Sequence, residues 1–156
     1  MAASSNIVII PGGDILEAEE TIIAHQCNCV TTTGKGLAKV LFDAYPEANV
    51  YKNRREHDTP GTNKVIKTGN KTIVNMFAQF KPGKPSGVDN KKTRLMFFES
   101  CLNQIDIKAG DRIAMPYLIG CDLAGGNWTN YYSTLSNWAE SNDVTVVLYD
   151  INNKSI

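Results

Sequence analysis

The residues best placed to do chemistry lie where an apolar run, Ile22-Ile23-Ala24, leads into His25-Gln26-Cys27-Asn28-Cys29 and then into Gly34-Lys35-Gly36. Polar side chains at a strand end, followed by a small-residue loop that opens a helix, present backbone N–H groups and a helix N-terminus to an anion. A second loop of similar character, Ile119-Gly120-Cys121-Asp122-Leu123-Ala124-Gly125-Gly126, follows a later apolar run. Two such loops suit one ligand carrying a diphosphate. The loop is not a Walker motif: Cys29 stands where that pattern needs its first glycine, and Gly36 where it needs Ser or Thr. A dinucleotide fingerprint also fails, because Lys39 replaces the third glycine after Gly34 and Gly36.

The elements that must hold these residues alternate between strand-like and helical patterns. Ile7–Ile10 reads as a strand stopped by Pro11-Gly12-Gly13, and Thr21–Cys27 as a buried strand. From Gly36, apolar residues Leu37, Val40, Leu41 and Ala44 recur at helical spacing until Tyr45-Pro46. Lys64–Thr68 and Thr72–Phe80 read as a hairpin turning at Gly69-Asn70, and residues 81–87 as loop. Asp89 or Asn90 is expected to cap a helix whose Leu95, Phe98, Leu102 and Ile105 share a face. Ile113–Pro116 is a further strand, Trp128 to Trp138 an amphipathic helix and Val144–Tyr149 a last buried strand. Continuous apolar strands alternating with helices predict an α/β fold with a mainly parallel sheet covered on both sides, whose ligand sits outside the carboxyl ends of the strands.

The chain has 156 residues, 42% of them hydrophobic, which suits one domain spanning residues 1–156. Sixteen basic residues balance sixteen acidic ones, so general nucleic-acid or membrane-surface binding is not expected. The local basic runs, Lys52-Arg54-Arg55 and Lys91-Lys92-Arg94, read as solvated helix faces. No basic leader region precedes the first apolar run and no segment reaches the length of a membrane span, so the expectation is a cytoplasmic or nuclear protein with four reduced cysteines. With no C-x-x-C pair and only His25 and His57, neither a zinc site nor another metal is expected.

In order and spacing, five segments resemble a macro domain, the ADP-ribose-binding module. They are Gly13-Asp14-Ile15, His25-Gln26-Cys27-Asn28, Gly34-Lys35-Gly36-Leu37-Ala38, Pro60-Gly61-Thr62 and Gly120 through Trp128. The His-x-Cys-Asn form and the late loop are most similar to the branch of terminal ADP-ribose protein glycohydrolases and ADP-ribose-1″-phosphate phosphatases. The resemblance implies a three-layer α/β/α fold around a central, mainly parallel mixed sheet, no cofactor, and ADP-ribose, a derivative or an ADP-ribosylated protein as partner.

Carried residue by residue, it implies that Asp14 accepts from the adenine amino group beside the Ile15 backbone. Tyr149 either stacks on adenine or packs in the core. Gly34, Lys35, Gly36 and Leu37 would wrap the distal ribose and diphosphate, and Ile119, Gly120, Cys121, Asp122, Leu123, Ala124 and Gly125 would cover the diphosphate from the other side. Asn28 would bind the distal ribose, and His25 would move a proton at C1″ or be a structural histidine. Asp89 would supply a carboxylate or simply cap a helix. Ala124 stands where the glycohydrolases have an aspartate, and no lysine aligns with their nucleophile, Lys81 and Lys84 being nearby. Asp122, where glycine is usual, is expected to face solvent, since inward it would repel a diphosphate. The implied activity is metal-independent hydrolysis of an ADP-ribose derivative at the distal ribose, with a non-catalytic ADP-ribose reader as the alternative.

Overall fold

A computed structural model describes residues 6–156. The leader expectation for residues 1–5 lies outside the described residues. The chain forms β1 (Ile7–Pro11), β2 (Ile22–Asn28), α1 (Gly36–Ala44), β3 (Asn63–Thr68), β4 (Lys71–Gln79), α2 (Lys91–Asn103), β5 (Arg112–Pro116), α3 (Trp128–Asn142) and β6 (Thr145–Asp150). Single 3-10 turns at Ile15–Glu17 and Pro46–Ala48 were not apparent in the hydrophobic pattern. The strands make one sheet in the order β1-β6-β5-β2-β4-β3, parallel throughout except for the β3–β4 hairpin.

Alternation along the strands fills a core on each face. Ala24, Val74, Met76, Ile113, Met115, Val146 and Leu148 point into a large cluster with Phe98, Cys101 and Leu102 of α2 and Tyr131, Leu135 and Ala139 of α3. Their strand neighbours Ile23, Ile73, Ala114, Cys27 and Phe77 meet Ala38, Leu41 and Phe42 of α1 on the opposite face. Side chains two apart share a face, so near-continuous apolar strands serve both layers. The result is the three-layer α/β/α mixed sheet the sequence predicts. Among the described residues no helix is long and apolar enough to cross a membrane.

Two details place the ligand side. The chain leaves β2 for α1 on one face and leaves β5 for α3 on the other, so neighbouring strands send their connections in opposite directions. In open α/β sheets such a point is where a crevice forms at the carboxyl edge. The pairing itself also opens: β2 follows β4 from Ile22 to Asn28 but pairs with β5 only at Ile22 and Ile23. Past Ala114 the two strands part, and the last residues of β2 stand at a gap.

Candidate functional site

At that gap lies a cleft of about 670 Å³, within the range that encloses a nucleotide-sized ligand. It is walled on one side by the start of α1 and on the other by the loop after β5. Its charged lining residues are Lys35, Lys84 and Asp122, besides the ionisable His25.

The α1 wall is an unfinished helix start. Lys35 occupies the N-cap position in extended conformation, its side chain caps nothing, and the first turn carries no acid. An α-helix begins with N–H groups that have no intrahelical acceptor, and here none is supplied among the described residues. The other two helices differ. Asn90 caps α2 through the Thr93 N–H at 2.9 Å, and Asn127 caps α3 through the Asn130 N–H at 3.3 Å. Lys35, Gly36 and Leu37 line the cleft as expected, whereas Gly34 packs against the backbone of Ala38 and Lys39 outside the lining.

The opposite wall, Ile119 to Ala124, lines the cleft throughout, with Gly125 just outside it. The N–H groups of Gly120, Asp122, Leu123 and Ala124 have no acceptor among the described residues. Gly120 has φ +76°, and a Cβ there would lie 2.3 Å from the Tyr131 ring, so only glycine fits. Gly36 has φ +56°, and its Cβ would fall 2.9 Å from Leu123 Cδ1, so the two walls touch across the cleft at this pair. Asp122 turns outward as expected: its side chain is 66% exposed and pairs with Lys154 at 3.6 Å. Burial pushes the Cys121 thiol up to about 12, which leaves it neutral rather than a thiolate nucleophile.

On the floor, His25 is 1% exposed and its Nε2 lies 2.6 Å from Asn75 Oδ1. Asn75 directs its Nδ2 to the Lys64 carbonyl, which leaves Oδ1 as the acceptor and assigns the His25 hydrogen to Nε2. Burial lowers the His25 pKa to about 4, the Asn75 hydrogen bond opposing only in part, so the imidazole is neutral at neutral pH. Asn28 turns Oδ1 back onto Val30 N, Thr31 N and Thr31 Oγ1, leaving Nδ2 without a partner among the described residues and free to donate into the cleft. Its own N–H donates to the Tyr51 hydroxyl at 2.8 Å, and its carbonyl accepts from Arg54 at 3.2 Å.

Several lining residues were not apparent in the sequence. Gln26, Gln79, Tyr51, Thr31 and Tyr117 all face the cleft. Gln26 donates to Gln79 Oε1 at 2.7 Å, and Gln79 donates to the Lys81 carbonyl. Gln26 lies inside the His-Gln-Cys-Asn segment and could have been read from it. Gln79 and Tyr51 reach the site only through strand order and tertiary packing.

Three expected residues flank the cleft rather than line it. Pro116, in the lining, pairs with Tyr149, and a Cβ on Gly13 would lie 3.0 Å from the Tyr149 ring. Tyr149 packs against the α1-side core and its hydroxyl donates to Glu20 at 2.5 Å. Asp14 caps its 3-10 turn through the Leu16 N–H, while Ile15 is a core side chain whose N–H has no acceptor among the described residues.

Two readings of the sequence need correction. Asp89 is neither in the cleft nor the helix cap. Its carboxylate meets Arg94 at 2.8 Å and accepts from Phe80 N and Lys81 N, so it has no free oxygen with which to serve a reaction. Burial alone would raise its pKa, but these hydrogen bonds overcome that and hold it below the ordinary value of 3.8. The basic runs are also not uniformly solvated. Arg94 is 1% exposed, and Arg54 is buried over the Tyr51 ring with Asp58 at 3.0 Å.

No family model matches the chain. Solved structures of macrodomains do, and this chain has the macrodomain fold. It superposes on the macrodomain of Mycobacterium tuberculosis DarG with a TM-score of 0.71 and 26% identity, covering 92% of this chain and 97% of that one. Thermosipho africanus DarTG, solved in complex with ADP-ribose, matches with a TM-score of 0.71 and 18% identity over 98% of this chain and 43% of that one. In sequence the chain is 28% identical over 149 residues to an uncharacterized 17.5 kDa protein from the tk-vs intergenic region of Enterobacteria phage T4, covering 86% of this chain and 92% of that protein.

Proposed function

We propose that the cleft binds ADP-ribose and that the protein hydrolyses an ADP-ribose derivative at the distal ribose without a metal. The observation that carries the binding half is the open start of α1: its N–H groups lack a cap while α2 and α3 have theirs, and they face the free N–H groups of the Gly120–Ala124 loop. A diphosphate between the two walls would satisfy both sets and meet Lys35. The ligand complex of the DarTG neighbour supports this choice of ligand. In this arrangement adenine lies toward Asp14, Ile15 and Tyr149, and the distal ribose accepts from Asn28 Nδ2. Water attacks at or near C1″ and gives its proton to neutral His25, while the ester bond there breaks and the phosphate or carboxylate leaves as its anion. Candidate substrates are ADP-ribose-1″-phosphate, an ADP-ribosyl-glutamate ester and O-acetyl-ADP-ribose.

One observation favours the alternative of a non-catalytic reader. Among the described residues the only carboxylate lining the cleft is Asp122, which faces out, and Asp89 is bound to Arg94. Calorimetry with ADP-ribose and steady-state turnover of the three substrates decide between the readings. Turnover that persists in a chelator supports the hydrolase. Binding without turnover of any of them leaves the reader, and no binding ends both.

A further inference from the structure

One guanidinium joins two stretches of chain some distance apart in sequence. Arg94, in the first turn of α2, donates from Nη1 to the carbonyls of Gly83 at 2.6 Å and Ala124 at 3.1 Å. From Nη2 it donates to the carbonyls of Lys81 at 3.1 Å and Lys84 at 3.3 Å and to Asp89 Oδ2 at 2.8 Å. Asp89 in turn takes the N–H groups of Phe80 and Lys81, so it anchors the same segment to the end of β4. Gly83, Lys84 and Ala124 all line the cleft. The wall facing α1 is therefore two loops, 81–84 and 120–124, fastened to each other and to α2 by one planar fork, with a longer, exposed contact from Lys84 Nζ to the Asp122 carbonyl at 3.4 Å beside it. A lysine ammonium at the same place would keep the charge beside Asp89 but could not span four carbonyls.

We propose that Arg94 is a positioning residue for the ligand site: it fixes both loops of this wall, and ADP-ribose affinity depends on it although it does not touch the ligand. This rests on the reading of the cleft as an ADP-ribose site. The free N–H groups of Gly120, Asp122, Leu123 and Ala124 can meet phosphate oxygens only if the loop is held in one conformation; the Ala124 carbonyl ties it to Arg94, and the exposed Lys84 Nζ adds the longer contact to the Asp122 carbonyl.

The test is Arg94→Lys, with Asp89→Asn as a milder variant that keeps the side-chain shape, and Ile105→Val in the α2–α3 core as a control. Two readouts are taken: amide hydrogen exchange of the ligand-free proteins and calorimetric Kd for ADP-ribose. Arg94→Lys should speed exchange at Lys81 on one loop and at Gly125 and Gly126 on the other together, leave β2 and β6 unchanged, and raise Kd about tenfold or more. Asp89→Asn should do the same to a smaller extent, and Ile105→Val should move neither readout. Loosening of one loop only, or an unchanged Kd in a folded Arg94→Lys protein, overturns the proposal. If the unmodified protein binds no ADP-ribose, the ligand reading fails, while the exchange data still decide whether Arg94 fastens the two loops.

Discussion

The two sides of the cleft are finished to different degrees. On the α2 side, Asn90 caps the helix, Asp89 pairs with Arg94, and the neighbouring carbonyls are collected by the same guanidinium, whose Nε alone has no partner among the described residues. On the α1 side, the helix start is uncapped, Asn28 keeps a free amide donor, and His25 sits neutral with one strong partner. The open helix start is exposed at Lys35 and Gly36, so its N–H groups are available to a ligand in the cleft without any protein partner having to be displaced. The contrast separates the closed first turn of α2, which holds shape, from the open start of α1, which faces the unpartnered N–H groups of the 120–124 loop.

Acid tests the contrast most strongly. The folded protein holds His25 at a pKa of about 4 against an ordinary 6.5, so the unfolded chain binds the extra proton over that interval and stability falls as pH drops through it, by about 3 kcal/mol in all. Asp89 acts in the same direction over a lower window: its pKa is lowered, so its contribution is present above 3.8 and lost only below it. Denaturant titrations between pH 7 and pH 3 should show a first loss that His25→Gln abolishes and a later one that it leaves. A single loss below pH 4 would break the distinction. Next in size, Gly36→Val drives a Cβ into Leu123 from a left-handed backbone and should weaken ADP-ribose binding about a hundredfold while the fold persists, as calorimetry and circular dichroism would show.

A smaller effect has two opposed parts. Lys35→Asp supplies the missing cap, so the melting temperature should rise with about 0.5–1 kcal/mol of added stability while ADP-ribose binding drops about tenfold, because the new carboxylate competes with and repels the diphosphate. If stability and affinity rise together, the α1 start is not a phosphate site. The smallest expected change is at the finished side: Asn90→Ala should cost about 1 kcal/mol of stability and leave affinity as it was.

Much of this was legible in the sequence because it is local. The apolar runs, the Gly-rich loops and the His-Gln-Cys-Asn strand end fix which residues stand at the carboxyl edge, and His25, Asn28, Lys35, Gly36 and Ile119–Ala124 all line the cleft. What was missed depends on distant partners. Asp89 read as a site carboxylate or a helix cap because nothing local shows that Arg94, five residues on, folds back onto it. Arg94 and Arg54 read as surface charge because a run of basic residues gives no sign of which member turns inward. Asn75, which fixes the tautomer of His25, becomes its neighbour only through the parallel register of β2 on β4.

The most direct test of the central claim is a backbone amide NMR titration with ADP-ribose. Diphosphate binding between the two walls should shift the amides of Gly36, Leu37 and Ala38 together with those of Gly120 to Ala124, and leave the capped first turns of α2 and α3 unmoved. Saturable binding with shifts at the start of α2 or α3 and none at α1 would contradict it.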